Sequence, residues 1–215
     1  RKEDLLSQAW EESLQMLDLS HKMFNKAVKK SKKQESLTVL KKLKNRDREI
    51  NSYQREVRRK IFTHFAIEQG THDITSLMVL VMMIVDIERI GDYSKNILDL
   101  AINYPDALDT KHLHKDLYDI EIEVKERFDH TIDAVKTQDI RDAGNLLKGF
   151  KKHVTGASDR IVNNIIAGNL EFQSGSEAAA IALYARYLKR IGSHLKNITT
   201  TIVNPIDAIG YKPKK

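Results

Sequence analysis

The chain contains no cysteine. Disulfides and thiolate metal sites are thereby excluded, and a reducing cytosol fits that absence. Breakers are scarce too: three prolines in 215 residues, at Pro105, Pro205 and Pro213, and nine glycines. That scarcity argues against a turn-rich β fold and for long uninterrupted helices. The most apolar run, Ile74 to Ile87, is too short to span a bilayer and is bounded by charges. The start, Arg1-Lys2-Glu3-Asp4, lacks the apolar segment of a signal peptide. Also missing are a Gly-rich phosphate loop, a Gly-x-Ser-x-Gly elbow and a nucleotide fingerprint, so nothing supports an enzyme. Eight histidines are present, among them His64, His72, His112 and His114, and none sits at the spacing of a zinc motif.

What is present is charge and helical periodicity. Charged residues make up 31% of the chain, with a net charge of +6. The excess is concentrated in Lys26 to Lys33, Lys41 to Arg48, Arg55 to Lys60 and the tail Lys212-Pro213-Lys214-Lys215. Such a surface suits nucleic acid, anionic lipid or an acidic partner, or it is simply a solvated helix face. The basic runs lack interleaved aromatics and helix-turn-helix spacing, which argues against nucleic acid.

Apolar spacing predicts six helices, over about 2–31, 36–69, 73–103, 110–137, 139–168 and 176–203. Gly70 and Thr71 close the second, Pro105 the third, Gly168 the fifth and Asn204-Pro205 the sixth. Three helices, a proline break and three more predict an internal repeat. Residues 86–97, Asp-Ile-Glu-Arg-Ile-Gly-Asp-Tyr-Ser-Lys-Asn-Ile, align without a gap on 187–198, Tyr-Leu-Lys-Arg-Ile-Gly-Ser-His-Leu-Lys-Asn-Ile. Arg-Ile-Gly and Lys-Asn-Ile are shared, each copy in the third helix of its half. The expected fold is therefore all-α, two tandem three-helix bundles at 1–105 and 106–215. Gly91 and Gly192 sit mid-helix, where glycine costs about 1 kcal/mol relative to alanine. Close approach of a neighbouring helix backbone would explain that repeated cost.

Glu88-Arg89-Ile90-Gly91-Asp92, followed by Lys95-Asn96-Ile97, resembles the repeated signature of the PhoU family. The resemblance implies two similar three-helix bundles and a regulator of phosphate uptake that is not an enzyme. It implies a phosphate transporter, a sensor histidine kinase or both as partners, at the cytoplasmic face of the inner membrane. Homo-oligomerisation is left open. It also implies Glu/Asp-x-x-x-Asp motifs that hold iron, zinc or other metals.

Helical geometry places Leu77, Leu80, Ile84, Gly91 and Leu98 on one face, with Glu88 near its middle, Asp92 at its edge and Asp86 opposite. Asp47 lies near the stripe of Leu43, Ile50, Val57 and Ile61, with Asn51 one turn on. A metal held by Asp47, Asn51, Glu88 and Asp92 would satisfy buried carboxylates. The alternative is that these carboxylates pair with Arg89, Lys95 or arginines of the second helix. The second half departs from the pattern. Lys189 and Ser193 replace Glu88 and Asp92, while Asp159 and Thr155 fall where Asn51 and Asp47 fall. A lysine there would repel a cation, so no metal is expected and Lys189 is expected to pair with Asp159. The run Met78 to Val85, apolar nearly all round, is expected at the centre of the first bundle or against a partner. Two other readings remain: the cytoplasmic tail domain of a sodium–phosphate cotransporter, suggested by a start at Arg1 instead of Met, and a basic helical nucleic-acid-binding protein.

Overall fold

Short polar side chains set where the helices begin. Asp4, Ser36, Asp73, Asp139 and Ser174 each accept a hydrogen bond from the backbone N–H three residues on. Each thereby satisfies a donor that the first turn leaves without a partner. The computed structural model describes residues 4–67 and 73–211, all of its regular elements helical. Gly70, Thr71, His72 and the Lys212–Lys215 tail lie outside the described residues.

The first half comprises α1 (Leu5–Ser31), α2 (Leu37–Lys44), α3 (Asp47–Ile67) and α4 (Ile74–Asn103). The second comprises α5 (Thr110–Leu113), α6 (Lys115–Thr137), α7 (Ile140–Leu146), a π-helical turn at Lys151–Thr155, α8 (Gly156–Ile166) and α9 (Gly175–Val203). Three expected helices are therefore interrupted. The second breaks at Asn45 and Arg46, and the restart places Asp47 and Glu49 in a new first turn, where the helix dipole favours carboxylates. The fourth breaks at His114, whose φ of −163° is extended. The fifth breaks before the π turn, where Gly149 adopts φ +70°, a conformation that glycine takes without strain.

In the first half α1 packs on α3 and α4; in the second α6 packs on α9, with α7 and α8 alongside. The α4–α9 contact joins the halves along the two signature helices. Phe24 of α1 stacks on Phe128 of α6 with ring centroids 5.7 Å apart, so the core runs on across the halves. Leu77, Leu80, Ile84, Gly91 and Leu98 are all buried, as their spacing predicts. The run Met78 to Val85 divides: Leu80, Met83 and Ile84 are buried, while Met78 is 51% exposed and Val81 and Val85 36% each.

Both signature glycines do face close neighbours, but side chains and not backbone. A Cβ on Gly91 would lie 2.8 Å from Ile50 Cδ1 of α3, and one on Gly192 would lie 2.9 Å from Val154 Cγ1. These contacts also correct the expected pairing of the repeats. Thr155 is one residue past the contact at Val154, whereas Asp47 is three before that at Ile50. Thr155 is therefore not the counterpart of Asp47.

Candidate functional site

Of the four residues expected to ligate a metal, three are linked where α3 starts beside the middle of α4: Asn51 contacts Asp47, and Asp47 and Asp92 share Lys95, while Glu88 lies beside Arg89. Asp47, 6% exposed, opens α3 and reaches under Gly91. Asn51, one turn on, donates from Nδ2 to Asp47 Oδ2 at 3.1 Å. From α4, Asp92 approaches the same point with its side chain 27% exposed, and Glu88, 17% exposed, lies one turn earlier.

Lys95 lies between Asp47 and Asp92. Its Nζ is 3.1 Å from Asp47 Oδ2 and 3.1 Å from Asp92 Oδ1. Arg89 Nη1 donates to Asp92 Oδ2 at 3.1 Å, and its Nε is 3.7 Å from Glu88 Oε2. Burial works against the Lys95 charge, but its hydrogen bonds with Asp92 and Asp47 together hold the ammonium above the ordinary lysine range. The donor set does not fit a metal in this arrangement. Among the described residues no three His, Asp or Glu side chains are grouped to hold one. The carboxylates are paired with Lys95 and Arg89, the alternative weighed from the sequence.

Glu88 is the member whose carboxyl is pushed upward. Burial, then the negative charge of Asp92, pushes its carboxyl above the usual value of 4.5, against the pull of Arg89. A raised carboxyl favours the fold in its protonated form. Its stabilising contribution is complete below about pH 4.5 and disappears as the pH rises through the folded-state value. Glu88→Gln should therefore stabilise the protein at pH 7 by less than about 1 kcal/mol, since Glu88 retains some solvent. Thermal melts of both proteins at pH 7 and pH 4 test this. A variant that is less stable at pH 7 would refute it.

The second half has its own cation. Lys189 Nζ lies 2.8 Å from Asp159 Oδ1, joining α9 to α8 as the sequence suggested. Arg186 adds a second contact to that oxygen at 2.5 Å. The Lys189 hydrogen bond is the main reason the Asp159 carboxyl is held below the usual range. Ser193 turns its hydroxyl back to the Lys189 carbonyl, 2.9 Å away.

Two features were not evident from the sequence. One is Glu121 on α6, whose side chain is fully buried. It meets Lys32 Nζ at 2.5 Å, Lys125 Nζ at 3.3 Å, Thr110 Oγ1 at 3.1 Å and the Tyr184 hydroxyl at 2.9 Å. The other is a groove of about 840 Å³ that brings two separate basic runs together. Lys26, Lys29 and Lys30 of α1 face Lys42 of α2 and Arg46 across a floor of Val39 and Leu43. Lys30 is paired with Glu35 and Arg46 with Glu49, while Lys26, Lys29 and Lys42 are exposed. Of the remaining basic run, Lys60 pairs with Glu12 and Arg59 with Glu56. Of the histidines in the connection, His112 is 80% exposed beside Asp109, and His114 has a buried Nδ1 without a hydrogen-bond partner.

Among the described residues, no helix is long and apolar enough to cross a membrane. Comparison with known proteins is consistent with the repeated signature. Residues 14–101 match the PhoU domain. No curated protein matches the sequence. The structure is similar to PhoU from Pseudomonas aeruginosa, with TM-score 0.73 and 22% identity over 92% of this chain and 95% of that one. It is also similar to the phosphate transport system regulatory protein PhoU from Streptococcus pneumoniae, with TM-score 0.76 and 16% identity over 98% of both chains. Residues 14–101 are thus a PhoU domain, set in a chain whose fold throughout is that of PhoU proteins.

Proposed function

We propose that this chain regulates phosphate uptake and phosphate signalling by contact with other proteins and not by catalysis. It docks on a phosphate transporter, a sensor histidine kinase or both, at the cytoplasmic face of the inner membrane. The observation that carries this reading is the PhoU domain over residues 14–101, which contains the whole α1–α2 groove. The similarity to a phosphate transport system regulatory protein supports the same role. The groove supplies the contact. Its exposed lysines steer an acidic partner surface into place, and its apolar floor gives that partner something to bury.

The test is recovery of partners from solubilised membranes. The wild-type chain should retain a phosphate transporter subunit or a sensor kinase. The triple variant Lys26→Glu, Lys29→Glu, Lys42→Glu should retain at least about tenfold less, since like charges across an interface cost more than 1.4 kcal/mol. All three side chains are exposed, so the thermal midpoint should hardly change. Equal recovery by both proteins, or neither partner class with the wild type, would overturn the reading.

A further inference from the structure

Two carboxylates, Asp47 and Asp92, meet on Lys95 at the α3–α4 junction, and Arg89 contacts Asp92 and, at 3.7 Å, Glu88 one turn earlier. The Lys95 ammonium is the only one of these two cations that bridges the helices, 3.1 Å from a carboxylate oxygen on each. Asn51 meets Asp47 as a donor, through its Nδ2 at 3.1 Å, not as an oxygen ligand. One oxygen stands apart: Asp47 Oδ1 is buried without a hydrogen-bond partner, on a side chain 9% exposed. An orphaned, buried carboxylate oxygen costs free energy that nearby positive charge offsets.

The second junction is built on the same plan with a different lysine. Lys189, at the position that matches Glu88, reaches from α9 to Asp159 of α8 at 2.8 Å. Lys196, the repeat counterpart of Lys95, donates instead to the Gly210 carbonyl at 2.8 Å. Each half therefore holds its last two long helices together with an ammonium of its own, drawn from a different turn of the signature helix.

From this we infer that Lys95 is a built-in cation, standing where a metal ion would otherwise neutralise Asp47 and Asp92, and that its charge keeps divalent cations out. The junction in the natural chain is accordingly metal-independent. The occluded site is a hard one, made of carboxylate oxygens of Asp47 and Asp92 on two helices, suited to an oxygen-seeking divalent cation. With Lys95 neutralised, Asp92 keeps only Arg89 as a cationic partner, Asp47 keeps none, and Asp47 Oδ1 becomes available as a ligand.

Mn²⁺ is the probe, and the measurements are calorimetric titration, thermal melting and metal content of the intact chain. The wild-type protein and Lys95→Arg should carry no stoichiometric metal after chelation and gel filtration, with thermal midpoints unmoved by Mn²⁺ or chelator. Lys95→Met should bind one Mn²⁺ at least about tenfold more tightly than wild type, because removing a positive charge in contact with the site is worth more than that factor. Mn²⁺ should also raise its thermal midpoint. Adding Asp47→Asn to Lys95→Met should abolish both effects. Lys95→Gln, which keeps a donor for Asp47, is the second variant should Lys95→Met fail to fold, and should gain Mn²⁺ in the same way. Stoichiometric metal in the wild type would overturn the inference. So would Mn²⁺ binding by the neutral variants no tighter than that of the wild type. Neither outcome depends on whether the basic groove contacts a transporter.

Discussion

Glu121→Ala should destabilise the protein by about 3–5 kcal/mol, the loss typical when one partner is removed from a buried charge network. For a chain of this size, that corresponds to a fall of roughly 6–20 °C in thermal midpoint. The Glu121 side chain has no exposed surface, and it ties together four segments. Lys32 lies just past the end of α1, Thr110 opens α5, Lys125 lies one turn on in α6, and Tyr184 comes from α9. Lys32 and Lys125 retain 24% and 30% of their side-chain exposure, so water can take them over. The buried Thr110 and Tyr184 hydroxyls have no such recourse.

Tyr184→Phe should cost less, about 1.5–3 kcal/mol for one hydrogen bond to a charged group. Burial, reinforced by the Glu121 charge, pushes the Tyr184 hydroxyl well above 10. Its contribution is therefore complete below about pH 10 and is lost as the pH rises toward the folded-state value. Urea titrations at pH 7 and pH 10.5 separate the two effects, the phenylalanine variant losing less stability between them than the wild type. An alanine variant at Glu121 within about 1 kcal/mol of wild type at pH 7 would show that the network contributes little.

The second large effect lies between the halves. Asp86 of α4 points away from the apolar face of its own bundle and into α9. His194 Nδ1 is 2.7 Å from its Oδ1, and Asn197 Nδ2 is 3.0 Å from the same atom. The Asp86 and His194 side chains are 14% and 11% exposed. Asp86→Ala should cost about 3 kcal/mol, because it leaves the buried His194 donor and the half-buried Asn197 donor without an acceptor. Asp86→Asn keeps an acceptor of the same shape and should cost about 1 kcal/mol. Equilibrium unfolding of both variants tests the order. If alanine proved no worse than asparagine, the α4–α9 contact would owe its strength to apolar packing alone.

Both sites show where reading from the sequence stops. Glu121 shares α6 with Glu123 and Glu126 and has no feature of its own that marks it for burial. Only the approach of α9 and the end of α1 distinguishes it. The interruptions of the expected helices were hidden for a related reason. Apolar spacing continues through Asn45-Arg46 and through Gly149, so periodicity reports two long helices, while the chain turns or changes hydrogen-bond register there. Lys95 was partly readable: three residues from Asp92, it was an evident partner for that carboxylate. Its bond to Asp47, 48 residues away in the chain, depends on how α3 packs against α4.

The sequence by itself determined the all-helical class, the doubled Arg-Ile-Gly signature, the proline break after α4, and which side of α4 enters the core. These follow from local propensity and from spacing along one helix, and both are properties of the chain order. It also placed Asp47 and Asn51 of α3 near Asp92 of α4, because two helix faces had to meet on their apolar stripes. Tertiary structure alone decided what meets those carboxylates, since side chains far apart in sequence compete for the same few ångströms. An ammonium from α4 occupies that space. The merging of two basic runs into one groove, and the depth at which Glu121 is buried, were settled by the same packing.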